Sequence, residues 1–399
     1  MSDPQINIHT KGQHRHAVLP DATAEENSRQ EFVRGLKYHL ARKVAPGNRI
    51  AYESRALPAF RSESGRDPKD HNEVRKIMSD EPFFSFWSAL QRNSQEMMWR
   101  AVQIPVENQA EKLRAAASEQ QQAAKLGSLK LNPDLEIPRY HRKVDIHCMP
   151  GGYHTEFAAD DVSNGAVYDR AVWLYAMGRM GPLNDDMGNS LIAYLKSEYP
   201  AHSPKRILDL GCTVGHSTLP YVDAYPDAEV HAIDVAAPML RYAHARAESL
   251  GKPVHFAQMN AEATDFPDQY FDLIVSHIFV HETSHVAIRR VMRECHRLLR
   301  PGGVVLHAET PPYKAMPTPF DAFILDWDTR NNNEPFWQAS HEIEPAELAE
   351  SAGFGADCAI EATVPSAFEA AQAQRTGTFQ GGDFGGGGAW YLWGAVKRA

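Results

Sequence analysis

The stretch Ile207-Leu208-Asp209-Leu210-Gly211-Cys212-Thr213-Val214-Gly215-His216-Ser217 decides the reading of this chain. A short apolar run that suits a buried strand meets a glycine-containing turn, and polar residues able to open a helix follow. Such a turn aims backbone N–H groups and a helix N-terminus past the end of a strand, where an α/β sheet holds a nucleotide-like ligand. A dinucleotide fingerprint beginning at Gly211 requires glycine at positions 213 and 216, and Thr213 and His216 stand there instead, so that ligand class is excluded. What remains is an acid, Asp209, followed by Gly211 and Gly215 with a β-branched residue, Thr213, between them. A β-branched residue in a tight turn restricts how closely the backbone approaches a ligand.

Outward from this turn, strands alternate with helices. Strands are expected at 206–210, 229–233, 254–259, 271–276 and 304–307. Between them lie a helix from Ser217, a helix with Pro238 in its first turn and a stop at Gly251, and a helix carrying Ile288, Val291, Cys295 and Leu298 on one face. This alternation predicts a parallel sheet with helices on both sides. Beyond it, a helix at 345–352, a strand at 359–364 and an aromatic strand at 390–396 are expected, with the glycine-rich 381–388 read as a mobile loop.

Ahead of the core, residues 1–24 read as a flexible arm and 25–135 as a helical N-terminal domain. In the latter, Phe32, Leu36, Leu40 and Val44 repeat at helical spacing, and Phe84, Trp87, Leu90, Met97 and Met98 form a broader apolar face. The Ala-, Gln- and Glu-rich 108–125 reads as a solvent-exposed helix end. Residues 136–200 read as a lid or linker with helices preceding the core: a strand-like 144–149, the break Pro150-Gly151-Gly152, then Tyr153 and His154, and helix over 168–199 interrupted near Gly181-Pro182. The core itself is assigned to 201–399, with a long insertion at 311–342.

The net charge of −10 argues against a nucleic-acid surface, which needs a basic field. The run Arg139-Tyr140-His141-Arg142-Lys143 reads as solvated or salt-bridged. Cys148, Cys212, Cys295 and Cys358 form no C-x-x-C and read as reduced thiols. No membrane-length apolar run and no N-terminal apolar segment are visible, so a cytoplasmic protein without membrane contact is expected.

The 207–217 turn resembles motif I of the class I S-adenosylmethionine-dependent methyltransferases, acid-x-G-x-G-x-G, with Thr213 as its one departure. The resemblance continues in order from about 205 to 310. It implies a doubly wound, mainly parallel seven-stranded Rossmann-like sheet, here with an added helical N-terminal domain, and S-adenosyl-L-methionine as cofactor. Asp209, Gly211, Thr213 and Gly215 would then form the cofactor turn, and Asp234, ending the second strand, would hold the ribose hydroxyls. Asn260 and Ala261 stand where an Asp-Ala pair commonly reads the adenine. Phe271-Asp272-Leu273-Ile274-Val275 matches the fourth strand and Leu299-Arg300-Pro301-Gly302-Gly303 the turn before the fifth.

Methyl transfer from a sulfonium is an in-line displacement governed by alignment and desolvation. In this fold the acceptor meets the sulfonium above the fourth strand, which places His281, Glu282 and His277 as base or substrate-orienting candidates. The insertion supplies Tyr313, Trp327, Trp337 and His341 as walls for a small organic acceptor, with Tyr153 and His154 closing over it. O-methylation is the first expectation, and homodimerisation through the helical region is expected by analogy. Two other readings compete. His281, Glu282 and His285 spell a formal H-E-x-x-H, which on one helix would make a zinc hydrolase. The motif follows a strand end, however, and Thr283 or Ser284 is a natural N-cap that leaves His281 outside the helix, so no metal is expected. The second is a protein of the same fold that binds the cofactor without transferring methyl, which Thr213 and Asn260 motivate.

Overall fold

The computed structural model describes residues 12–124, 126–376 and 388–398. Its strands are β1 (Ser128–Lys130), β2 (Arg206–Leu210), β3 (Glu229–Asp234), β4 (His255–Gln258), β5 (Phe271–His277), β6 (Leu299–Glu309), β7 (Ala359–Pro365) and β8 (Ala389–Val396). They form one eight-stranded sheet in the order β1-β4-β3-β2-β5-β6-β8-β7. All neighbouring pairs from β1 to β6 are parallel, and β8 runs antiparallel between β6 and β7. Ile207, Leu208 and Leu210 on β2 and Leu273, Ile274 and Val275 on β5 are all buried, because helices cover both faces of the sheet. β2 has β3 on one side and β5 on the other, so the strand order reverses there, and the 211–217 turn opens at this crevice. The expected mainly parallel sheet is present with one strand more than the seven anticipated. Ser128–Lys130 pairs in parallel with β4, and three residues are too few for a periodic signal.

The helices flanking the crevice follow their local signals. Ala237–Ser249 carries Pro238 in its first turn, and Gly251 after its end takes φ 72°. His285–Leu298 begins at Ser284, whose side chain accepts from the Ala287 N–H. The 144–149 segment departs from expectation. It is a single-turn helix, Ile146–Cys148, and not a strand, because His147 and Cys148 adopt φ 55° and 59°. The carbonyl of His147 accepts from Trp99 Nε1 at 2.7 Å and Gln95 Nε2 at 3.1 Å, which pins this left-handed pair against the helix Pro82–Asn108.

The N-terminal helices are not a separate body. Val33, Met98, Trp99 and Leu113 share one apolar cluster with Val214, Met239 and Tyr242 of the core. The helix Ala110–Ala123 buries Leu113 and Ala117 in it, while Glu111, Lys112, Ser118, Glu119, Gln121 and Gln122 are exposed, as expected of this segment. In the helix Ala24–His39 the buried face is Gln30, Val33 and Lys37, whereas Phe32 is 62 % exposed. The boundary expected near 135 is also crossed, since β1 already belongs to the sheet.

The described part of the arm is anchored too. Val18 and Leu19 are buried, and Gln13 and His16 reach the interior carboxylate of Asp169 at 2.6 and 3.0 Å. Asp169, on the helix Ser163–Tyr175, also receives His216 Nε2 at 2.8 Å and the Tyr242 hydroxyl at 2.9 Å, with Arg246 Nε 3.6 Å away. Burial opposes ionisation of Asp169, but His216, His16 and Arg246 outweigh it and hold the carboxyl well below its usual range. Burial lowers both imidazoles, so each meets the carboxylate as a neutral Nε2–H donor. Residues 1–11 and 377–387, which include the start of the arm and most of the glycine-rich run, lie outside the described residues.

Asp169→Ala removes the acceptor shared by Gln13, His16, His216 and Tyr242 and the charge facing Arg246, and is expected to cost about 3–5 kcal/mol in a urea unfolding titration. Asp21→Ala, which removes the exposed pairs with Arg15 and Lys112, is expected to cost under about 1 kcal/mol in the same measurement.

Candidate functional site

The turn after β2 is built on positive backbone angles. Gly211 takes φ 67°, and a Cβ there would lie 2.3 Å from Phe279 Cδ2, so only glycine fits. Thr213 takes φ 45°, a conformation that disfavours a β-branched residue by about 1–2 kcal/mol. Two neighbours hold it. Its N–H donates to Asp234 Oδ2 at 2.9 Å, and its hydroxyl pairs with Tyr168. Asp234 Oδ1 accepts the Ala236 N–H at 2.8 Å. Burial pushes the Asp234 carboxyl up to about 6, against the pull of these backbone donors. Asp209 braces the turn from below: it accepts the Thr218 hydroxyl and lies 3.2 Å from His277 Nδ1. His277 Nε2 lies 3.1 Å from the Tyr221 hydroxyl, so both its ring nitrogens are engaged. Asn260 Oδ1 accepts the Glu262 N–H at 2.9 Å, closing its own turn, with Ala261 buried beside it.

Two cavities meet at this turn. The smaller, of about 60 Å³, is lined by Asp234, Asn260, Ala261, Tyr140 and Tyr153. The larger, of about 220 Å³, is lined by His147, His281, Asp328, Glu334 and Trp337, among others. Gly211, Thr213, Tyr168, His277 and Ile278 line both. In the run expected to be solvated or salt-bridged, Arg139, Arg142 and Lys143 are exposed, while the short helix Arg139–Arg142 places Tyr140 on the smaller cavity and stacks His141 on Tyr153 at 5.5 Å.

A carboxylate–imidazole cluster stands at the larger cavity. His281 Nδ1 lies 2.8 Å from Glu309 Oε2, while Glu309 Oε1 accepts the N–H groups of Phe279 and Val280 at 2.9 and 2.6 Å. His147 Nδ1 pairs with Glu334 Oε1, and His147 Nε2 lies 3.1 Å from Glu282 Oε1, which also accepts the Tyr153 hydroxyl at 2.7 Å. Burial works against the charged forms, but Glu309 raises His281, Glu334 and Glu282 raise His147 well above its usual range, and His147 lowers Glu282. Burial, reinforced by Glu334, pushes Asp328 up to about 7.

The structure brings together some of the expected residues and separates others. His281, Glu282, Tyr153 and Trp337 gather at the two cavities. His154 lines neither and is half-buried beside His141. Trp327 faces the helix Pro82–Asn108, donating Nε1–H to Ser88 at 2.7 Å. Tyr313 donates to Asp326 and stacks on His341 at 4.9 Å. His341 itself is buried against the Pro311 carbonyl at 2.6 Å, and burial pushes its imidazole down to about 3. These three fasten the insertion to the body of the protein. The formal H-E-x-x-H is split: His281 and Glu282 sit in the turn Val280–Glu282, and His285 is exposed on the helix after Ser284. That arrangement is not the one-helix pair of a zinc hydrolase. The sequence reading did not single out His147, Glu334 and Tyr168. Glu309, an acid at a strand end, carried the clearest signal.

Residues 207–303 match the family model described as a methyltransferase domain. A demethylmenaquinone methyltransferase from Thermus thermophilus is 37% identical over 110 residues, covering 28% of this chain and 49% of that protein. A malonyl-[acyl-carrier protein] O-methyltransferase from Methylococcus capsulatus is 36% identical over 124 residues, covering 30% of this chain and 42% of that one. A solved structure of phosphoethanolamine N-methyltransferase 2 from Haemonchus contortus in complex with S-adenosyl-L-methionine superposes with a TM-score of 0.39 at 17% identity, over 58% of this chain and 57% of that one. This chain spans about half or less of the length of the curated relatives it matches. Among the described residues no helix is long and apolar enough to cross a membrane.

Gly211→Ala is expected to destabilise by about 2–4 kcal/mol, from the left-handed backbone and the overlap with Phe279 together. Adding Phe279→Ala removes the overlap alone, so a double-mutant cycle on thermal unfolding should show positive coupling of about 1–2 kcal/mol.

Proposed function

We propose that this chain, whose core is a class I S-adenosylmethionine-dependent methyltransferase domain, transfers a methyl group from S-adenosyl-L-methionine to a small organic acceptor, at an acceptor oxygen as the first choice. The observation that carries the reading is the meeting of two cavities at the Gly211–Gly215 turn, one beside the Asp234 carboxylate and one beside the carboxylate–imidazole cluster. The residues suit the cofactor. Asp234 keeps acceptor capacity for ribose hydroxyls beyond its two backbone donors, and the turn presents backbone to the crevice. Asn260 and Ala261 would flank the adenine, with the Asn260 oxygen already shared with Glu262. The cofactor supplies an electrophilic methyl group whose C–S bond pair stays with sulfur.

The rest is the work of this chain. Gly211 and Thr213 separate the two cavities by one turn of backbone, which sets the line along which donor and acceptor face each other. Trp337 and Tyr168 exclude water from that line. His281 and Glu282 orient the acceptor, and the proton that a hydroxyl acceptor loses passes to the cluster they belong to. The names of the curated relatives, which methylate a quinone precursor and an acyl-carrier-bound acid, support a small acceptor.

Calorimetry with S-adenosyl-L-methionine tests the first half. Asp234→Asn should weaken binding at least about tenfold. Ribose binding needs the ionised carboxylate, and the Asp234 carboxyl takes up its proton near pH 6. Wild-type affinity should therefore fall about tenfold per pH unit below about 6, and the Asn variant should show no such slope. Unchanged binding in Asp234→Asn sinks the cofactor assignment. S-adenosylhomocysteine release over a panel of hydroxy acids and phenols tests the second half. His281→Ala should lower turnover about 10²-fold and leave cofactor affinity within about threefold. Binding without release on any acceptor would instead favour a cofactor-binding protein that does not transfer methyl.

A further inference from the structure

The cluster beside the larger cavity has an order that acceptor orientation alone does not require. Each of its two imidazoles is gripped at Nδ1 by its own buried carboxylate, His147 by Glu334 and His281 by Glu309. Both therefore turn Nε2 toward the same space, where Glu282 also stands. One ligand atom from each of His147, His281 and Glu282 lies within 4.8 Å of the others. Carboxylate-held histidines with the opposite nitrogen presented are the usual outer support of metal-binding imidazoles. His281 Nε2 is buried without a partner, and so is Glu334 Oε2, which faces it at 3.9 Å. His281 and Glu334 are each 1 % exposed. Three carboxylates, Glu282, Glu309 and Glu334, meet two imidazoles here, so the cluster carries surplus negative charge even with both imidazoles protonated.

We propose that His147, His281 and Glu282 bind one divalent first-row transition-metal ion, which holds the methyl acceptor through two of its oxygens. Two imidazoles and one carboxylate favour iron(II), manganese(II), cobalt(II) or zinc over magnesium or calcium, which prefer all-oxygen sites. Bonds of about 2.1 Å at right angles place neighbouring ligand atoms roughly 3.0 Å apart. His147 Nε2 and Glu282 Oε1 already lie 3.1 Å apart, and a tilt of the His281 ring brings in the third ligand. Three protein ligands leave open positions facing the cavity that contains Trp337 and Asp328. The ion lowers the pKa of a coordinated acceptor hydroxyl, and the released proton goes to Glu334 Oε2, which has no other donor. This site differs from the H-E-x-x-H reading, because His147 replaces His285. The ion's role in transfer rests on the methyltransferase reading, whereas its binding does not.

The test is cobalt(II) titration of tag-free, chelator-treated protein, followed by calorimetry and by the visible absorption of bound cobalt. One equivalent should bind with a spectrum showing nitrogen ligation. His147→Ala and His281→Ala should each abolish that spectrum. Glu334→Gln and Glu309→Gln should weaken binding about 10–100-fold. His285→Ala should change nothing. Thermal melts and S-adenosyl-L-methionine calorimetry on the same samples show that the variants are folded. Failure to bind stoichiometric cobalt, or binding indifferent to both histidine variants, overturns the proposal and leaves the cluster a closed ion-pair network. Cobalt bound as expected with no S-adenosyl-L-methionine binding would overturn the methyltransferase reading instead.

Discussion

The carboxylate of Asp169 is the interaction on which the rest of this structure depends. It is 1 % exposed and takes donors from the N-terminal arm, from His216 in the turn after β2 and from Tyr242 in the helix that follows β3. A buried carboxylate without those partners would be strongly unfavourable, so the charge forces the three segments together. Arg246 supplies the compensating charge and also donates to the Leu183 carbonyl at 2.8 Å. The N-terminal helices therefore sit on the core with a defined register, and the turn after β2 is held from behind. Apolar burial supplies most of the free energy of that contact, through Met98, Trp99, Met239 and Tyr242. The ion pair and its hydrogen bonds set where the contact forms.

Among the non-glycine residues with positive φ, Thr213, Ile278 and His147 line the two cavities. Left-handed residues persist only when their surroundings over-determine them. Each has a restraint from another element: Asp234 for Thr213, the Ala308 carbonyl for the Ile278 N–H at 2.8 Å, and Trp99 and Gln95 for the His147 carbonyl. Thr213 thus fits where a glycine was expected. The turn does not relax around it; Asp234 and Tyr168 grip it.

The legible part of the sequence is the part governed by local rules. β2, β3, β5, the helix Ala237–Ser249 and the helix His285–Leu298 follow from apolar runs, Pro238, Ser284 and Gly251, each acting within a few residues. Asp234 and Asn260 could be placed beside the crevice because strand order and strand ends are local consequences of the same pattern. Reading the acceptor side required contacts that sequence separation hides. His147 looked like part of a strand because Val144 and Ile146 alternate with Asp145 and His147, and nothing nearby announces that Trp99 will hold its carbonyl. Trp327, Tyr313 and His341 looked like pocket walls because they are aromatic. Their polar atoms instead find Ser88, Asp326 and Pro311, which fasten the insertion to the rest of the protein.

The two halves of the site are therefore built by different means. Around the smaller cavity, Gly211, Thr213, Asp234, Asn260 and Ala261 come from one continuous segment, 207–261, whose geometry the sheet dictates. The carboxylate–imidazole cluster is assembled from His147 in the turn Ile146–Cys148, Glu282 after β5, Glu309 at the end of β6 and Glu334 in the insertion. Any loosening of that turn moves His147 relative to the other three, while β5 and β6 still hold Glu282 and Glu309 in register through Ser276–His307 and His277–Ala308. A cluster made this way can change its chemistry through the Ile146–Cys148 turn and the insertion without disturbing the Gly211–Gly215 turn.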